Sequence, residues 1–222
     1  MERHFDLELE ELKTVLARMG GHGEQMVRKS MRALLDWDLA LAEQLREDDR
    51  EMDRLELEVE NRCLTLLALR QPIATDLRLI TAALRNAADL ERVGDHAINI
   101  GGCVTTLVGL PQRVTPPPQV HALAEAASSM LKRALDAFAT GDGESARRTC
   151  ADDDVADRLE DEVFEEMQRR MMEEPPLVPA CFQIILVAGN LERVADLATN
   201  VAEEAIFVAE ARVIKHHHED PV

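Results

Sequence analysis

The 222-residue sequence predicts an all-α fold: six helices forming two pseudo-symmetric three-helix bundles. Three observations carry that expectation. Leu, Ala, Glu, Arg and Met dominate, whereas Tyr is absent, Trp occurs once and Phe five times, a balance that favours helices over sheets. Apolar residues recur at steps of three and four over long stretches. The chain also repeats itself: DREMDRLELEV at 49–59 matches DDVADRLEDEV at 153–163, and DLERVGDHAIN at 89–99 matches NLERVADLATN at 190–200. The first pair is offset by 104 positions and the second by 101, a difference that falls in the turn between the second and third helices of each half, where length is free to change.

The first helix is expected from about Asp6 to Arg46, with GGHG at 20–23 either kinking it or held helical by packing. Asp48 or Asp49 would cap the second, which runs to about Arg70. Pro72 suits the first turn of the third, which spans about Ile73 to Leu110. GLPQRVTPPPQ then separates the halves, since consecutive prolines neither continue a helix nor donate hydrogen bonds. The fourth helix covers about Gln119 to Ala139 and stops at TGDGE. The fifth runs from about Glu144 to Glu173, and the sixth from about Pro179 to Ile214, after EEPPLVP. The boundaries that follow are 1–112 for the first repeat, 118–215 for the second and 216–222 for a disordered, His-containing tail.

Twenty-five Lys and Arg against 43 Asp and Glu give a formal charge of −18, which repels nucleic acid, anionic membrane surfaces and free phosphate. An anion would bind only where a cation such as a metal ion overrides that field. Cys63, Cys103, Cys150 and Cys181 lie far apart and read as reduced core cysteines, not as a zinc site or disulfide framework. No apolar run reaches the ~18 residues of a membrane span. The acidic, amphipathic N-terminus is unlike a signal peptide, so a cytoplasmic location is expected.

The chemistry sits in the repeated motif. Ile80, Leu84 and Ala87 define a core-facing stripe, and continuing its steps reaches Glu91 and then Asp95; Ile185 leads in the same way to Glu192 and Asp196. Two carboxylates one turn apart beside a core repel each other and call for a cation between them. All-oxygen donors suit hard ions such as Mg, Mn, Ca or Fe better than Zn. The preceding helices offer Asp49, Asp53, Glu56 and Glu60 in one half and Asp153, Asp157 and Glu160 in the other. Antiparallel packing of neighbouring helices would bring Asp53 and Asp157 toward the motifs. Arg54, Arg92, Arg158 and Arg193 supply the competing reading, an interhelical ion-pair network without metal. Repetition at matched positions in both halves favours metal. Leu197 stands where the first copy has His96, so His96 is read as a packing or hydrogen-bonding residue and not as a ligand common to both sites.

LERVGDHAINI and LERVADLATNV, each on the last helix of a three-helix half, resemble the paired carboxylate motifs of PhoU proteins, as RQPIATDLRLI at 70–80 resembles the opening of the corresponding helix. The resemblance implies a cytoplasmic regulator of phosphate uptake and a negative regulator of phosphate-starvation genes. It implies an adaptor between the transporter's ATPase subunit and a sensor histidine kinase, self-associating as a homodimer. It also implies metal at Glu91 and Asp95 and at Glu192 and Asp196, with Asp53 and Asp157 contributing, the candidate ions being Fe, Mn, Mg or Zn. Asn190, Ala195 and Leu197 replace the Asp, Gly and His of the first copy, so the second site is expected to bind more weakly.

No Ser/His/Asp or Cys/His constellation and no phosphate-binding loop is present, so an enzyme is not expected. A helical metalloenzyme is the alternative, but the Glu-x-x-His of di-iron bundles is missing, with Gly94 and Ala195 at the critical spacing. A metal-free scaffold is the third reading.

Overall fold

The computed structural model describes residues 2–214, with side chains described from residue 4. Among the described residues the chain forms seven α-helical segments, a single 3-10 turn and no strand: α1 Glu2–Asp36, α2 Leu39–Arg70, α3 Ala74–Gly109, α4 Pro118–Thr140, α5 Gly143–Ala151, α6 Asp153–Glu173 and α7 Val178–Glu210. α5 and α6 form one rod broken at Asp152, so the six-helix expectation holds. The expectation for the 216–222 tail lies outside the described residues.

The first two helices divide earlier than their pattern suggested, at Trp37–Asp38 and not near Arg46. Trp37 takes a left-handed φ of 56°. The Asp38 backbone N–H donates to Ala33 O at 3.0 Å, and its carboxylate accepts from the N–H groups of Ala40 and Leu41 at 2.9 and 3.1 Å. The second half builds the same turn 104 residues on: Gly141 has φ 70°, Asp142 N–H donates to Ala137 O at 3.0 Å, and the Asp142 carboxylate caps α5. Lys29–Asp48 and Arg133–Asp152, also 104 apart, each pair at 2.5 Å. α7 ends at Glu210, four residues short of the expected Ile214, because Ala211 turns left-handed and closes the helix on Phe207 O.

GGHG does not interrupt α1, which stays helical through 20–23. A Cβ on Gly20 would lie 2.2 Å from Leu135 Cδ1, so glycine is what lets α1 and α4 approach closely. Helix packing compensates the lost propensity.

In each half a long helix is held by two others: α3 by α1 and α2, and α7 by α4 and the α5–α6 rod. The halves join along α3 and α7, with α1 and α4 in contact behind them. One continuous apolar core runs through both. α7 requires one correction to the sequence reading. Over 18 residues within Pro175–Glu210 its mean hydropathy reaches 1.4, so by length and composition it is a membrane-span candidate. In the fold it is the central helix, packed against α3, α4, α5 and α6, which accounts for its apolar character.

Candidate functional site

α3 and α7 cross antiparallel. Arg85 near the start of α3 pairs with Glu204 near the end of α7 at 3.0 Å, and His96 Nδ1 donates to Asn190 Oδ1 at 2.9 Å. The two motifs therefore pass each other at the joint between the halves. His96 has the hydrogen-bonding role expected of it, and its partner is the residue standing where the first copy has Asp89.

With α1 and α4 behind, the outward stripes of α3 and α7 share one open face, flanked by α2 and α6. Both carboxylate pairs lie on it. The core-facing positions of α3 are Ala83, Asn86, Ala87, Leu90, Val93, Gly94 and Ala97. Glu91 is half-buried beside them and Asp95 is exposed, so the motif borders the core and does not point into it. The reason is physical: at the border a carboxylate keeps partial hydration, and an ion can reach it from solvent. Glu192 and Asp196 are half-buried at the matching place on α7.

The sequence-predicted carboxylates come together as two clusters. Burial, then Asp95, Glu56, Asp53 and Asp49 in turn, push the Glu91 carboxyl up to about 6. Asp49 and Glu56 are likewise raised, first by burial and then by their acidic neighbours. In the other half burial, followed by Asp196, raises Glu192 to about 7, with Arg193 opposing and Glu160 and Asp157 adding. Asp157 and Glu160 are raised as well, burial again leading. Asp53 and Asp157 thus do approach the motifs, as antiparallel packing requires. Glu56 and Asp49, placed on the same stripe by the sequence, join the first cluster, and Glu160 joins the second. Glu160 Oε1 stands 3.4 Å from where a Cβ on Gly189 would be, which places this carboxylate directly over Gly189 on α7.

None of Arg54, Arg92, Arg158 and Arg193 makes an interhelical ion pair among the described residues, and only the second half pairs its motif carboxylates at all, within α7. Arg193 reaches Asp196 at 2.6 Å and Glu192 at 3.4 Å. Arg92 instead faces Asp89 at 3.7 Å, Arg54 pairs with Glu51 and Glu58, and Arg158 donates to Asp154 O. Among the described residues no cation is paired with Glu91, Asp53 or Asp95. Nor do three or more His, Cys, Asp or Glu side chains close tightly enough in these rotamers to grip an ion. Like charges spread apart unless a cation draws them in. The donor set is all carboxylate, without Cys or His, which fits a hard cation and suits zinc poorly.

A tandem three-helix repeat carrying one acidic cluster per half on a shared open face defines the class: a two-repeat, all-α scaffold. A family model described as PhoU domain matches residues 16–104 and again 120–205. The chain belongs to the PhoU family. It is 38% identical over 207 residues to a phosphate-specific transport system accessory protein PhoU homolog of Rhizobium meliloti, covering 92% of this chain and 86% of that protein. The corresponding homolog of Pseudomonas aeruginosa is 33% identical, covering 97% and 89%. The crystal structure of PhoU from Pseudomonas aeruginosa superposes with a TM-score of 0.89 at 34% identity, covering 94% of this chain and 100% of that one. The phosphate transport system regulatory protein PhoU from Streptococcus pneumoniae gives 0.88 at 27%, covering 95% and 99%.

Proposed function

We propose that this protein is a cytoplasmic regulator of phosphate uptake and phosphate-starvation signalling that binds hard metal ions at two carboxylate clusters. As an adaptor it would link a phosphate transporter's ATPase subunit to a sensor histidine kinase, restraining starvation genes when phosphate is plentiful, and it would act as a homodimer. The observation that supports the metal half is the first cluster: Glu91 and Asp95 face Asp49, Asp53 and Glu56 across α2 and α3 with no cation among the described residues paired against Glu91, Asp53 or Asp95. The names of the relatives support the phosphate half.

Glu91, Asp95 and Asp53 would hold the first ion, and Glu192, Asp196 and Asp157 the second. A bound ion supplies positive charge, which lowers the carboxyl pKa values and creates the one kind of place on a −18 chain where an anion could settle. The chain's own part is to hold the carboxylates on two packed helices and keep water access on one side.

Elemental analysis of the purified protein tests this against a variant carrying Glu91→Ala, Asp95→Ala, Glu192→Ala and Asp196→Ala. Stoichiometric Fe, Mn or Mg in the wild type, lost in a variant with unchanged circular dichroism, is the expected result. No metal in either after reconstitution would overturn it.

A further inference from the structure

The repeat provides an internal control, since a residue type found at matched positions in both halves serves the fold they share. On the α6–α7 open face two phenylalanines break that match. Phe164 is 49% exposed and Phe182 52% exposed. Their counterparts in the first half are Glu60 and Thr81, at offsets of 104 and 101. The three-helix half therefore folds without aromatic residues there. Two of the chain's five phenylalanines nevertheless face water, and Met172, Val178 and Leu186 on the same two helices are exposed as well.

Helical steps place these residues. Val178, Phe182, Ile185, Gly189, Glu192 and Asp196 follow one outward stripe of α7, at spacings of four and three. Asp157, Glu160 and Phe164 follow the facing stripe of antiparallel α6, brought level by Glu160 over Gly189. The strip is aromatic and aliphatic at the start of α7 and acidic further along.

We propose that this strip is a docking groove for a basic amphipathic helical segment of another protein. Its apolar residues would cover Phe164 and Phe182, and its Lys or Arg residues would meet Glu160 and, in the metal-free form, Glu192, Asp157 and Asp196. Charge complementarity selects this occupant. A second copy would bring its own acidic strip and a charge of −18, and an anionic membrane surface is repelled for the same reason. An apolar patch rimmed by charge is the usual form of such a surface. The inference deepens the adaptor reading and rests on it only in requiring a protein partner.

The probe is a fluorescein-labelled Lys/Leu amphipathic helical peptide, with a Glu/Leu peptide of the same pattern as control, followed by anisotropy on the full chain in chelator-containing buffer. The expected result is binding of the basic peptide alone, weakened about tenfold or more by Phe164→Glu with Phe182→Thr, the residues the first half already uses. Leu57→Ala with Leu64→Ala, on exposed α2 positions, should leave it unchanged. Hydrogen exchange on the wild type, which needs no variant, should show peptide-dependent protection in α6 and the first half of α7. Undiminished binding to the Phe variant, equal binding of both peptides, or protection elsewhere overturns the proposal. So does self-association, or vesicle binding, that the Phe variant abolishes. Each of these leaves the metal analysis of the quadruple variant standing on its own.

Discussion

Asn86 lies on the core side of α3, fully buried, and neither its Oδ1 nor its Nδ2 finds a hydrogen-bond partner among the described residues. Its counterpart in the second half is Val187, also fully buried, on α7. An unsatisfied buried amide costs about 1–3 kcal/mol. Asn86→Val should therefore raise unfolding free energy by about 1 kcal/mol or more, read as a higher urea midpoint at unchanged slope. The joint between the motifs holds the other residue-scale surprise. Arg85 with Glu204, and His96 with Asn190, tie α3 to α7, while the pseudo-symmetric partners of the first pair are Leu186 and Cys103. Nothing in periodicity pointed to these ties, because a cross-half contact has no local signature. Asn190 at the position matching Asp89, and Leu197 at the position matching His96, were the visible traces of the second tie.

At the scale of helices, the glycines of α1 separate two effects that sequence merges. A Cβ on Gly21 meets nothing within 4 Å, so Gly21→Ala should stabilise by about 1 kcal/mol through helix propensity. Gly20→Ala drives a methyl into Leu135, and should forfeit that gain and cost about 1–2 kcal/mol. Thermal unfolding of the two single variants, side by side, checks the order. The helix boundaries show where sequence reading succeeds. Gly141–Asp142 announced its break openly, since glycine takes positive φ without strain. Trp37–Asp38 hid the same break, because a tryptophan at φ 56° carries no such signal. The offset of 104 residues linking the two turns is present in the repeat itself and marks the hidden break. The approach of Asp53 to Glu91 and of Asp157 to Glu192, by contrast, was legible from spacing plus antiparallel packing. The position of these carboxylates at the core's border was not, since a stripe drawn through Ile80 and Leu84 runs along the edge of the buried face.

For the whole molecule, the two clusters set a pH dependence in metal-free protein. Glu91 rises from 4.5 to about 6 and Glu192 from 4.5 to about 7, burial being the leading cause in both. Over that interval the folded chain holds protons the unfolded chain has released, so stability falls as pH rises from about 4.5 to 7. Below the lower limit this loss is absent, and above the upper it is complete. Chemical denaturation at a series of pH values should show the slope in the wild type and a flatter curve in Glu91→Gln with Glu192→Gln. A positive slope throughout would contradict the arrangement of these carboxylates.

Arg193 leans on Asp196 and Glu192, and among the described residues no cation does the same for Glu91 and Asp95. Fusing two halves into one chain releases the halves from having to stay identical, and this arginine is where they have diverged in charge. Under the metal reading, an ion arriving at the first cluster has no guanidinium to turn aside. At the second it must turn one aside and, near neutral pH, compete with a proton on Glu192. On that reading, filling then occurs in two steps at two concentrations of the same ion. A single polypeptide would carry two thresholds on one face, and a partner spanning that face would meet three distinguishable forms of one molecule.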